Sequence, residues 1–283
     1  MANPITVNGT HYRQEVYANA IIELIRPKIL VRSFFATDYE GNPTFGAVNI
    51  PVRSADVTIS TSYDILNGMS LTQSATTYKQ ILVNKTVACN ELVFGYEAAA
   101  VPDNLKAQRL ESASYSMASQ LETDAINSLI SGGTTESDTS ALTTSTVYST
   151  IATSIKEMKK IGINPMDMVI VISPETELLL LTDEKYSNTA GQLGAEVIRS
   201  GVVGRINGVM VVMSSFLPAT VDYIVMARPW CQQITTWKIL PDFVDIRDGA
   251  HIGSSTLQGL QIYNEDITNA LAVRIKTNGS VSI

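Results

Sequence analysis

Three glycines, Gly201, Gly204 and Gly208, stand in eight positions of the segment GVVGRINGVMVVMSSFLP (residues 201–218), directly ahead of an apolar run. Such a cluster suits a phosphate-cradling loop, because bare backbone lets amide N–H groups approach an anion at a helix N-terminus. That chemistry needs a strand, then G-x-G-x-x-G, then a helix. Here the glycines are three and four apart, the run that follows reads as a strand, and no G-K-[ST] is present. The segment therefore reads as a bend and a strand, and not as a nucleotide site.

Nucleophilic and acid–base chemistry has as little to work with. His11 and His251 are the two histidines, there is no G-x-S-x-G elbow or S-x-x-K pair, and neither cysteine has a histidine near it in sequence. Both histidines read as structural. Cys89 and Cys231 belong to no CxxC or Cys/His spacing, which predicts neither a disulfide framework nor a zinc site. Asp242, Asp245 and Asp248 in DFVDIRD suggest a Mg²⁺ cluster, but a spacing of three along a strand sends successive side chains to opposite faces. They read as edge or turn carboxylates. No catalytic, cofactor or metal site is expected, and hence no enzyme.

The chain that would position such residues has 283 of them, 45% hydrophobic and 17% charged, enough for a large buried core. A net charge of −7 argues against broad, sequence-independent nucleic-acid binding. Arg26, Lys28 and Arg32 are the nearest approach to a basic patch and read as the solvated face of a helix. Free thiols suit a reducing cytoplasm. The stretch NAIIELIRPKILVRSFF is interrupted by Glu23, Arg26 and Lys28, which excludes a signal peptide or spanning helix and leaves no membrane partner.

Residues 11–35 place Val16, Ala20, Ile21, Leu24, Ile25 and Ile29 at helical spacing, and Pro27 should kink or end that helix. From Phe45 to Phe94 the period becomes that of strands. Val48, Ile50 and Val52 alternate, Val57 and Ile59 continue out of phase, and YKQILVNKTVACNELVF returns as a second long strand. Between them Asn67-Gly68 signals a turn flanked by Ile65, Leu66, Met69 and Leu71, so the whole reads as a long hairpin with an apolar tip. A two-stranded hairpin is marginal alone and needs something to lie on.

A helix follows from Pro102-Asp103 to Gly132-Gly133, with Leu110, Ala113, Met117, Leu121, Ala125 and Leu129 as its stripe. At 1.5 Å per residue it is roughly 40 Å long. A Ser/Thr-rich connector leads to a second helix, VYSTIATSIKEMKKIGI, with Val147, Ile151, Ile155 and Met158 inward. MVIVI is a buried strand, and SPETELLLL opens a third helix on Ser173 as N-cap and Pro174. Five strand-like stretches close the chain: GVMVVM, DYIVMAR, CQQITTWKIL, FVDIRD and NALAVRIKT. The class is α+β with non-local strand pairing.

This order of elements resembles the HK97-fold major capsid protein of tailed bacteriophages. So do three phrases: LTQSATTYKQILVNKTVACNELVF leading into the long helix, MVIVISPETELLLL, and GVVGRINGVMVVMSSFLP. The resemblance covers nearly the whole chain. It implies an N-terminal arm (1–44), an extended β-hairpin or E-loop (45–94) and a peripheral domain with a long spine helix (95–135 and 236–283). An axial α/β domain (136–235) would complete the chain, with the last strand, Ala270 to Lys276, returning to the peripheral domain.

It further implies self-assembly into pentamers and hexamers of an icosahedral shell around double-stranded DNA bound without sequence specificity. A separate scaffolding protein, a portal and decoration proteins are the implied partners, and the virion, assembled in the host cytoplasm, the location. The chain passes almost at once from Met1 into the arm, so no long scaffolding region is expected within it. No lysine lies between Ser62 and Thr77, and Lys79 and Lys85 sit on the returning strand, so the covalent cross-link of one branch of the family is not expected. Inter-subunit contacts are expected at the tip (Ile65, Leu66, Asn67, Gly68, Met69, Leu71), at Arg26, Lys28 and Arg32, and at Arg205. The alternatives are an encapsulin-like nanocompartment shell enclosing cargo enzymes and, more distantly, a soluble α+β enzyme.

Overall fold

The computed structural model describes residues 5–7, 10–12, 26–38, 46–53, 59, 61, 65–66, 68, 76–95, 105–183, 186, 202–247, 251 and 253–278. Near the N-terminus β1 (Ile5–Val7) and β2 (Thr10–Tyr12) form an antiparallel pair, with His11 opposite Thr6. The helix expected over 11–35 is absent at both described ends. Thr10–Tyr12 is extended, and over residues 26–35 the helical geometry is a single 3-10 turn at Val31–Phe34. Pro27 accounts for the second end, since it lacks an N–H and its ring collides with the preceding turn. Residues 13–25 lie outside the described residues.

The hairpin is present: β3 (Gly46–Arg53) pairs antiparallel with β4 (Thr76–Val83), in register from Gly46 opposite Val83 to Arg53 opposite Thr76. The returning strand, expected as one piece, is two. After Asn84 the chain continues as β5 (Lys85–Val93), which leaves β3 and pairs with another strand altogether. The phase slip near Val57 falls outside the described residues.

Helix α1 (Leu105–Gly132) ends where the glycines predict, with Gly133 N–H bonded to the Leu129 carbonyl at 3.0 Å. Met117, Leu121, Ala125 and Leu129 of its stripe are buried. Beyond it come β6 (Thr134–Thr135), α2 (Val147–Lys160), β7 (Met168–Ile172) and α3 (Pro174–Thr182). All four expected inward residues of α2 are fully buried. Ser173 caps α3 by accepting the Thr176 N–H at 3.2 Å, with Pro174 at the first helical position.

The remaining strands are β8 (Val202–Ile206), β9 (Val209–Met213), β10 (Val221–Ala227), β11 (Cys231–Asp245), β12 (Ser255–Ile267) and β13 (Val273–Thr277). A six-stranded sheet has the order β6-β13-β10-β7-β9-β8 and a three-stranded one the order β11-β12-β5. β7 alternates across the larger sheet. Met168, Ile170 and Ile172 join α2 and α3 in one core, while Val169 and Val171 join Ala125, Ile126 and Leu129 of α1 in the other. Each such fully buried aliphatic side chain contributes about 1.5–3 kcal/mol.

Three strand expectations change. CQQITTWKIL and FVDIRD are one strand, β11, which runs through Pro241 with register shifts between Trp237 and Asp242. That is where a proline in a sheet belongs, at an irregularity on an edge. The last strand begins at Val273 after a 3-10 turn at Ala270–Ala272, and it pairs with β10 in the six-stranded sheet instead of joining the three-stranded one. β12 was not expected at all, although it is the centre of its sheet, between β11 and β5.

The glycine-marked segment is a β8–β9 hairpin. Asn207 and Gly208, both at positive φ (51° and 87°), form its two-residue turn between Ile206 and Val209. A side chain at Gly204 would overlap the hydroxyl of buried Tyr186. Gly201 lies outside the described residues. Among the described residues no helix is long and apolar enough to cross a membrane.

Candidate assembly surfaces

Among the described residues the β3–β4 hairpin rests on the rest of the chain at its base. Ile50, Ile81 and Val83 are buried against Ile234 of β11. The Lys79 ammonium donates to the Ile267 carbonyl and lies 3.3 Å from Asp266 Oδ1, which engages this lysine within its own subunit. The opposite face of β4 leaves Tyr78 and Leu82 uncovered, and beyond the paired strands Ile59, Ile65 and Leu66 are uncovered too, the last two 88% and 93% exposed. Gly68 has φ +70°, as a tight turn requires. Asn67, Met69 and Leu71 lie outside the described residues.

A second uncovered surface is the outer strand β11. It is an edge of its sheet, where Ala36 bridges to the backbone at Cys231 and Gln233, and further along it exposes Trp237, Ile239, Leu240 and Val244. Long apolar edges of this kind are liabilities in a lone monomer and pairing surfaces in an assembly.

Arg26, Lys28 and Arg32 do not form the solvated helix face expected of them. They lie on an irregular strap, ending in the 3-10 turn, that packs against α1. Arg26 donates to Glu111 Oε1 at 2.8 Å and lies over the Tyr115 ring, 5.1 Å from its centre, while the Tyr115 hydroxyl donates to the Pro27 carbonyl at 2.7 Å. Lys28 is exposed. The Arg32 Nε lies 3.4 Å from Glu265 Oε1 on β12.

The strap is fastened by a residue that motif reading passed over. Glu122 of α1, fully buried, accepts three successive backbone N–H groups: Leu30 at 3.0 Å and Val31 at 2.7 Å on Oε1, and Arg32 at 2.9 Å on Oε2. These are the donors that a short 3-10 turn leaves free at its start, and a carboxylate satisfies them better than a neutral acceptor. One signal was available in the sequence: an acid beside Leu121 and Ala125 on the helix's apolar stripe needs a partner.

Beneath the strap lies a buried polar cluster. Glu265 on β12 is buried, and desolvation pushes its carboxyl up to about 7, with Arg32 and Lys85 opposing and Asp124 adding to the rise. Tyr263, two residues away on the same face, donates to Asp124 Oδ2 of α1, and burial together with that hydrogen bond holds its phenol above the ordinary range. The cluster joins arm, spine helix and sheet.

The residues weighed for chemistry stay apart. Asp242 and Asp245 are exposed on β11, and Asp248 lies outside the described residues. Cys231 is a buried thiol pushed up to about 12 by burial, and Cys89 is a second free thiol on β5. His251 stacks loosely on Phe94 at 6.4 Å. Among the described residues no three His, Cys, Asp or Glu side chains gather as for a metal ion. Arg205 is exposed on β8, an edge strand.

Residues 93–276 match the family model described as phage capsid protein. Among solved structures, a protein of Mycobacterium phage Che8 superposes with a TM-score of 0.78 at 18% identity, over 95% of this chain and 98% of that one. The capsid of cyanophage P-SCSP1u gives 0.73 at 11% identity over 96% of each chain. The mature capsid of bacteriophage PhiM1 gives 0.68 at 15%, over 96% of this chain and 93% of that one. No curated protein sequence matches. With an extended hairpin, a long helix and an α/β layer in this order, and a family match over most of its length, the chain belongs to the phage capsid protein family and has the HK97-like fold of major capsid proteins.

Proposed function

We propose that many copies of this chain, arranged as pentamers and hexamers, close an icosahedral phage head around double-stranded DNA. The observation that carries this reading is the hairpin: a folded subunit that holds Ile65 and Leu66 at 88% and 93% exposure, away from its own core, is built to be completed by neighbours. Many modest interfaces repeated by symmetry then stabilise a closed particle. The net charge of −7 favours weak, non-specific handling of packaged DNA.

In this reading residues 1–44 are the arm, 45–94 the E-loop, 95–135 with 236–272 the peripheral domain and 136–235 the axial domain, whose sheet the last strand, β13, joins beside β10. The hairpin tip, with Asn67, Gly68, Met69 and Leu71 alongside Ile65 and Leu66, meets a neighbouring subunit, as do Arg26, Lys28, Arg32 and Arg205. The role is structural and not enzymatic. A separate scaffolding protein, a portal and decoration proteins are its partners, and assembly takes place in the host cytoplasm before the head becomes part of the virion. A nanocompartment shell would use the same fold; the matching family is that of phage capsid proteins, which favours the phage head.

Expression alone and with the scaffolding protein, followed by light scattering and negative-stain microscopy, tests the reading. Megadalton closed shells are expected. A monomer or small oligomer under both conditions would overturn it.

A further inference from the structure

We propose that helix α3 of one copy docks head-to-tail on the C-terminal end of helix α2 of the next, an inference that rests on the shell reading above. The two helices lie on the same face of the six-stranded sheet and share one core. Their solvent sides differ in sign. The end of α2 carries Lys156, Lys159 and Lys160 against Glu157 alone, and Glu157 pairs with Lys156 at 3.3 Å and Lys160 at 2.9 Å. Lys159 reaches the Asn207 carbonyl at 3.3 Å, so the three lysines and the β8–β9 turn border one open groove of about 460 Å³. At its end Ile161 is 48% exposed, and Met166 of the following turn 73%.

Helix α3 is the counterpart. Its nine residues include no base; Glu175 is exposed, Glu177 half-buried, and Leu178 and Leu181 are 65% and 52% exposed. Leucines three apart lie on one side of a helix. Leu180 is fully buried on the core side, so α3 is apolar towards the sheet and towards solvent alike. A helix apolar on two sides belongs between two layers, and the described residues of one chain supply one of them, the sheet side.

The charges identify the second layer. Either surface set against its own copy would bring lysines against lysines, or glutamates against glutamates, and the rings of the shell reading require a contact between two different surfaces. Lysines with Ile161 and Met166 on one surface, and glutamates with Leu178 and Leu181 on another, match only when different surfaces meet. Repeated by rotation, such a contact closes a ring. The occupant of the α3 face is therefore a second copy of this chain, presenting the end of its α2.

Charge exchange in the full-length chain, assembled with any scaffold the wild type needs, tests this. Lys156→Glu/Lys159→Glu/Lys160→Glu and Glu175→Lys/Glu177→Lys should each lower the yield of closed particles by about tenfold or more while thermal unfolding of the free subunit stays near that of wild type. Combining both sets should restore assembly, because the signs are then exchanged. Should a reversal prevent folding, the milder Lys156→Gln/Lys159→Gln/Lys160→Gln and Leu178→Gln/Leu181→Gln variants are read the same way, each expected to lower the yield. Wild-type yield from either set, or a folded combined variant that assembles no better than its parents, would overturn the contact; the second result would give the surface to a different partner, such as the scaffold. A wild-type chain that never assembles would overturn the shell reading and this inference with it.

Discussion

Glu122 and Val31, 91 residues apart, are joined by a buried hydrogen bond of 2.7 Å from the Val31 N–H to Glu122 Oε1. Leu30 and Arg32 donate to the same carboxylate, so one side chain of the spine helix organises the strap that leads back to the N-terminus.

Glu122→Ala should therefore release the strap. Hydrogen bonds to a charged acceptor contribute about 1.5–3 kcal/mol, and three backbone donors would be left partly buried without a partner. The expected outcome is a subunit destabilised by about 3 kcal/mol, with faster amide exchange at residues 30–32. Denaturant titration and hydrogen-exchange mass spectrometry check both; protection unchanged at those amides would show that the strap is held by other contacts.

Glu265 makes stability depend on pH. Its carboxyl is raised by burial from the ordinary 4.5 to about 7, so between those values the folded chain holds a proton that the unfolded chain has lost. The group's contribution is then fully present at and below pH 4.5 and is lost as pH rises through about 7. Glu265→Gln should gain on wild type as pH increases from 5 to 8, seen as a widening difference in melting temperature. A constant difference would remove Glu265 as the titrating group.

The hairpin tip should matter to particles more than to subunits. Leu66 is 93% exposed, so Leu66→Asp is expected to change subunit stability by less than about 0.5 kcal/mol. Combined with Met69→Asp it should nevertheless depress particle yield in sedimentation. Unchanged yield would take the tip out of the interface.

Gly204 answers to packing. A methyl group there meets the Tyr186 hydroxyl, so Gly204→Ala should destabilise by about 1–3 kcal/mol, the usual range for overpacking. Tyr186→Phe in the same chain should recover part of that loss. A double-mutant cycle by thermal unfolding measures the coupling, and additivity would refute the clash.

The elements with a regular period were legible. The stripe of α1, the four inward residues of α2, the five buried residues of β7 and the Ser173 cap all follow from spacing and residue type alone. β12 was not legible for a physical reason. Its buried face carries Ser255, Gln261 and Glu265 among Leu257, Tyr263 and Ile267, so polarity does not alternate even though burial does. Those polar groups are tolerated because strands, helix and strap enclose them, which no local window contains. The glycine segment read as a bend and a strand; the first strand of its hairpin, β8, was not legible, because Gly204 interrupts its alternation.

What the sequence determined by itself was the class and the order: a hairpin, a long helix and an α/β layer, because each rests on local periodicity and turn chemistry. Tertiary structure decided the partners. It set β5 apart from β4, placed β13 beside β10, and laid Arg26 and Arg32 on acids of α1 and β12 in place of solvent. Strand pairing and buried ion pairs depend on which distant groups are desolvated together, and only the folded chain specifies that.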